Sequence, residues 1–118
     1  MVKVPVPFAW NEDFATSYRL IDLEHRTLFN GLFALSEFNT RDQLLACKEV
    51  FVMHFRDEQG QMEKANYEHF EEHKGIHEGF LEKMGHWKAP VAQKDIRFGM
   101  EWLVNHIPTE DFKYKGKL

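Results

Sequence analysis

The strongest constraint on this chain is a row of apolar residues at helical spacing that occurs four times, each time with a histidine set into it. Ile21, His25, Leu28, Leu32 and Leu35 recur at steps of three and four residues, as one buried face of a helix requires. The second row reads Cys47, Phe51, His54, Glu58, Met62, the third Phe70, His73, His77, Phe80, Met84, and the fourth Ile96, Gly99, Leu103, His106. These rows predict helices over about 16–38, 42–65, 68–85 and 92–107. Thr40 or Asp42 is placed to cap the second, Asn66 to stop it, and Gly85 to end the third. Pro108 has no N–H to give and crowds the preceding turn, so it is expected to close the fourth.

Helices of similar length joined by short connections predict an all-α chain, an antiparallel up-down-up-down four-helix bundle. Its 118 residues suffice for one domain with one core, and 43% hydrophobic and 14% aromatic residues set disorder aside. The stretch through Trp10 carries Pro5 and Pro7 and reads as an extended arm, with Phe8 and Trp10 packing onto the body. The tail after Asp111, basic and amphipathic, is expected to fold back over the bundle end. Cys47 is alone, so no intrachain disulfide forms, and it is expected to serve as a small buried hydrophobe.

Fifteen basic against nineteen acidic residues leave a net charge of −4, which speaks against a nucleic-acid partner. No apolar run is long enough to span a membrane, and the N-terminus shows no signal peptide, so a cytoplasmic setting is expected.

A single histidine on an apolar face is ordinarily a satisfied core residue. One on each of four rows is another matter, because every buried imidazole loses hydration that something must replace. His73 and His77 stand four apart, one turn along the same face, and His54 and Glu58 share that relation, so each pair can serve one metal ion. Asp111 lies five residues beyond His106, a turn of about 140° in an unbroken helix. A break at Pro108 lets it swing back over the bundle end.

With His25, the candidate ligands are His25, His54, Glu58, His73, His77, His106 and Asp111. Five imidazole nitrogens, four carboxylate oxygens and a hydroxide shared by two ions fall one bond short of two octahedra. That leaves one position for a small molecule. A nitrogen-rich set without thiolate suits iron better than calcium or magnesium. His69 and His86 are expected at the surface, and Glu24, Asp22 and Asp57 are candidates for orienting the imidazoles from behind.

At these residues the chain resembles the haemerythrins, and most of all their brachiopod subunits. The likeness is carried by Pro7-Phe-Ala-Trp10, Asp22-Leu-Glu-His25-Arg-Thr-Leu-Phe-Asn-Gly31, Leu32 to Thr40, His54-Phe-Arg-Asp-Glu58-Gln59, His73 to His77, and Trp102-Leu-Val-Asn-His106-Ile107 with Asp111 to Lys117. It implies that His73, His77 and His106 bind one iron, His25 and His54 the other, with Glu58, Asp111 and a hydroxide or oxide bridging. It also implies an apolar dioxygen pocket walled by Leu28, Phe55 and Leu103. Dioxygen would be held there reversibly as hydroperoxide by a carrier or storage protein that is no enzyme. Oligomers of like or unlike subunits, octamers among them, inside circulating oxygen-carrying cells belong to the same implication.

Three rivals remain at this level. Oxygen-activating bundle enzymes use Glu-x-x-His motifs, and Glu72-His73 lacks that spacing. A metal storage or detoxification protein would use the same ligands. A sensing module usually comes with an output domain.

Overall fold

The computed structural model describes residues 3–118, and among them helix is the only extended regular structure. Four long helices carry the chain: α1 Arg19–Glu37, α2 Arg41–Lys64, α3 Phe70–Gly85 and α4 Gln93–Thr109. Short 3-10 turns at Glu12–Phe14 and Asp111–Tyr114 flank them. The expected starts at residues 16 and 68 were early. Ser17 takes a positive φ of 78° ahead of α1, and the Tyr67–His69 turn precedes α3.

Side-chain contacts give the order and direction of the helices. Glu24 meets His54 while the backbone at Gly31 approaches Val50 and Cys47, so α1 and α2 run in opposite directions. Phe55 stacks on His77 and Phe51 lies against Phe80, which makes α3 antiparallel to α2. Phe80 stacks on Trp102 at 4.1 Å and His77 lies near His106, so α4 returns against α3. Gly99 faces Leu32, closing the square between α4 and α1. The result is the up-down-up-down bundle, 40 Å along its longest axis, close to the roughly 36 Å that a 24-residue helix spans.

Local chemistry explains the turns. The Thr40 hydroxyl accepts the Gln43 N–H at 3.2 Å, capping α2 as expected. Asn66 adopts a left-handed φ of 53°, a conformation asparagine tolerates and one that ends a helix. The Asn39 side chain donates to the Val91 carbonyl and accepts from its N–H, at 2.8 and 2.7 Å, tying the first connection to the last.

Pro108 does not close α4, contrary to the sequence reading. The helix runs through it to Thr109, because the Thr109 hydroxyl bonds the Asn105 carbonyl at 2.6 Å and the Glu110 N–H bonds the His106 carbonyl at 2.8 Å. Those two bonds hold the last turn together where the proline offers no donor. The chain leaves the helix at Glu110, and the 3-10 turn that follows carries Asp111 back over the bundle.

The core divides along the long axis. One end is apolar, built on Phe29, Leu32, Leu35, Phe51, Phe80, Met84 and Val104. The other holds a small cluster of Ile21, Met62, Tyr67 and Tyr114. Between them lie the buried polar side chains. Of the arm, Phe8 is buried and stacks on Phe29 at 4.8 Å, while Trp10 is half-buried beneath Arg26. Among the described residues no helix is long and apolar enough to cross a membrane.

Candidate metal centre

All seven expected ligand residues are buried, from Glu58 and His77 at 0% exposure to His106 at 5%. His25 comes from α1, His54 and Glu58 from α2, His73 and His77 from α3, His106 from α4, and Asp111 from the turn beyond it. The four-residue spacings work as the sequence suggested. His54 and Glu58 converge, with Nε2 3.3 Å from Oε2, and the rings of His73 and His77 meet at 4.6 Å.

The two carboxylates each face two ways. Glu58 Oε2 lies 3.5 Å from His25 Nε2 and 3.3 Å from His54 Nε2, whereas its Oε1 lies 3.2 Å from His73 Nε2 and 3.1 Å from His77 Nε2. Asp111 repeats the division: Oδ2 is 3.1 Å from His25, and Oδ1 is 2.9 Å from His73 and 3.0 Å from His106. One oxygen of each acid thus belongs to a two-histidine half and the other to a three-histidine half. Two ligand atoms each about 2.1 Å from one ion, at right angles, stand about 3.0 Å apart. The observed separations match that spacing.

Hydrogen bonding tests the fit further. The Nε2 atoms of His25, His73, His77 and His106, with Glu58 Oε1 and both Asp111 oxygens, are buried without a hydrogen-bond partner among the described residues. Orphaned buried polar atoms are rare, and so many gathered at one point is the pattern of a site built for cations. Nitrogen and oxygen donors without thiolate fit a pair of iron ions. Two groupings of donor atoms meet the distances a metal needs: Glu58, His73, His77, His106 and Asp111 in one, His25, His54 and Glu58 in the other.

Charge follows from the same geometry. Burial works against the Glu58 carboxylate, but His54, His25 and His73 outweigh it and hold the group well below the usual carboxylate range. Asp111 is likewise held low by His106 and His25 against burial and the Glu58 charge. For His54 burial is overcome by Glu58 and Glu24, and the imidazole is raised to about 10. His77 goes the other way, lowered to about 4, because burial outweighs its contact with Glu58.

Behind the ligands, Glu24 orients His54, whose Nδ1–H donates to Oε1 at 2.7 Å and leaves Nε2 free to face inward. Asp57 stands behind Glu24, whose hydrogen bond pushes the Asp57 carboxyl up. Asp22 does not orient an imidazole. It accepts the Thr16 N–H and hydroxyl at 2.9 and 2.8 Å, because the turn before α1 draws it to the helix start. His69 and His86 lie away from the buried donors, with the His69 side chain 45% exposed beside Glu68 and Glu72 and His86 exposed.

Two residues escaped the sequence reading. Gln59 accepts from His77 Nδ1 at 2.8 Å, and the fully buried Tyr114 donates its hydroxyl proton to Glu58 Oε2 at 2.7 Å. Gln59 adjoins a ligand and so carried some signal. Tyr114 sits 56 residues from its partner, and nothing local announces that contact.

An all-helical bundle with buried groupings of nitrogen and oxygen donors that could hold metal ions is the class of protein these features define. A family described as "Hemerythrin HHE cation binding domain" matches residues 16–118. The chain is 97% identical over 117 residues to the hemerythrin alpha subunit of Lingula reevii, covering 99% of this chain and all of that one. It is 65% identical over 117 residues to the hemerythrin beta subunit of Lingula anatina, with the same coverage of both chains. It is 42% identical over 115 residues to the hemerythrin of Phascolopsis gouldii, covering 98% and 96% of the two chains. The chain belongs to the haemerythrin family.

Proposed function

We propose that this chain is a reversible dioxygen carrier working through two non-haem iron ions, and not an enzyme. His73, His77 and His106 hold one ion, His25 and His54 the other, and Glu58 and Asp111 span both. The observation that carries this reading is the division of each buried carboxylate between the two histidine sets. A ferrous pair, when bound, supplies the two electrons that dioxygen needs and takes them back on release.

The protein's part is to hold, exclude and orient. Leu28 and Leu103 stand three residues from His25 and His106 on the same helices, both 1% exposed, and Phe55 at 2% lies flat on His77 with ring centroids 3.8 Å apart. These three form the apolar wall of the dioxygen pocket, keeping water and external acid away. Tyr114 keeps its proton, since burial and the neighbouring Asp111 and Glu58 charges push its phenol up, so it donates to Glu58 without serving as an acid. Both bridging residues stay ionised.

Relatives bearing the names of alpha and beta subunits support assembly with like or unlike chains; an octamer and a place in the cytoplasm of oxygen-carrying cells are the part of this reading that rests on the family resemblance alone. Anaerobic loading with ferrous iron, followed by metal analysis and visible spectra through several cycles of oxygen addition and removal, tests the function. Two irons per chain and a chromophore that returns on each cycle are expected. Fewer than two irons, or turnover of an added substrate, refutes it.

A further inference from the structure

Six of the seven candidate ligands ride on helices whose backbone hydrogen bonds are closed; Asp111 alone rides on a single 3-10 turn. That turn and the residues after it form a cap over the Ile21, Met62, Tyr67 end of the core. The cap delivers two groups at once: Asp111, which reaches both halves of the site, and the Tyr114 hydroxyl on Glu58. Removing it would strip a shared carboxylate from both ions. With every candidate ligand buried, ions enter or leave only if something moves, and of the elements that carry a candidate ligand the cap is the shortest and has the fewest internal backbone bonds.

One side chain from the far end of the sequence fastens it. The Tyr18 hydroxyl accepts the Gly116 N–H at 2.9 Å and the Leu118 N–H at 3.1 Å, and donates to the Tyr114 carbonyl at 3.5 Å. Its ring also meets the Tyr114 ring edge-on at 6.0 Å. Tyr18 is itself set by the turn before α1, where its N–H bonds the Thr16 hydroxyl, which in turn bonds Asp22. Gly116 takes a φ of 78°, which lets the tail curl back to present its N–H groups. Beside the Tyr114 bond to Glu58, the remaining ion pair from the cap to the bundle, Lys117 to Glu68 at 3.4 Å, joins two exposed side chains and adds little.

We propose that Tyr18 is a positioning residue whose hydroxyl latches residues 110–118 over the metal centre, and that this cap is the gate through which metal ions exchange. The proposal rests on the two-iron reading above. Tyr18→Phe keeps the ring and all seven ligands while removing the acceptor of two hydrogen bonds. Losing bonds of this kind opens the cap about tenfold more often.

The test uses the anaerobically loaded ferrous protein, diluted into a ferrous chelator, with release of iron followed by absorbance. Amide exchange of residues 110–118 is read by mass spectrometry in parallel, with and without iron. Tyr18→Phe is expected to hold two irons, release them about tenfold faster, and lose amide protection in 110–118 while the four helices keep theirs. Gly116→Ala, strained at its positive φ, reaches the same state without touching Tyr18. Leu35→Ala, a destabilising change at the opposite end of the bundle, leaves the release rate alone. If the wild-type protein holds two irons and both cap variants release them at its rate, the gate is refuted while the two-iron reading stands. If the wild-type protein does not hold two irons, both readings fall.

Discussion

The two halves of the candidate site use the same imidazole side chain and hold it in opposite ways. In the two-histidine half, His54 leans on the Glu24 carboxylate and is raised to about 10. In the three-histidine half, His77 leans on the neutral Gln59 carboxamide, lies flat against Phe55, and is lowered to about 4. His106 in that half is also stacked, on Trp102 at 4.3 Å. A carboxylate behind an imidazole raises its basicity and a carboxamide does not. The contrast belongs to this pair and not to every nitrogen of each half: burial lowers His77, whereas His73 beside it overcomes burial through Asp111 and Glu58 and is raised to about 9.

The largest effect comes from abolishing what the halves share. Glu58→Gln replaces one of the two spanning carboxylates with a neutral amide whose nitrogen is a hydrogen-bond donor with no lone pair to give a metal ion, and iron content measured after loading is expected to fall from two per chain toward none. Replacing a ligand of one half separates them: His77→Leu leaves His25 and His54 intact, so about one iron per chain is expected together with loss of oxygen uptake.

Changing what stands behind the ligands sharpens the contrast. Glu24→Ala should weaken binding of one ion about 10- to 100-fold, as loss of such partners does. Gln59→Ala should weaken the other less, because Phe55 still holds the His77 ring. Two-site titration with ferrous iron reads both.

Stability of the apolar end should be separable from the site altogether. A Cβ at Gly99 would stand 2.8 Å from Trp87, so Gly99→Ala is expected to cost about 1–3 kcal/mol in denaturant unfolding, with iron content unchanged. The smallest effect concerns Cys47. Burial pushes its thiol up to about 12, so the native protein should resist thiol reagents at pH 8 until it unfolds. Since the fold disfavours the thiolate, this group adds stability below the free-thiol range near 9, lost as pH climbs toward 12.

Most of the candidate metal centre could be read from the chain because helices convert spacing into direction. His73 with His77, and His54 with Glu58, had to point one way whatever the rest of the molecule did. The helix rows likewise placed His25, Leu28, Leu103 and His106 inward, where the structure buries them. Asp111 was harder, since its approach depends on where α4 ends. The sequence pointed to Pro108, whereas the hydrogen bonds of Thr109 and Glu110 moved the break two residues on.

What the amino-acid sequence determined alone is the set of residues with one face inward: four amphipathic rows, their turn signals and the ligand types on each. Periodicity suffices for this, because it is a property of each helix by itself. Only the tertiary structure decided which carboxylate oxygen faces which histidines, that Gln59 and Glu24 stand behind opposite halves, and that Tyr18 and Tyr114 join the two ends of the chain. Such pairings link residues as many as 100 positions apart, and they exist only once packing has chosen which helices are neighbours.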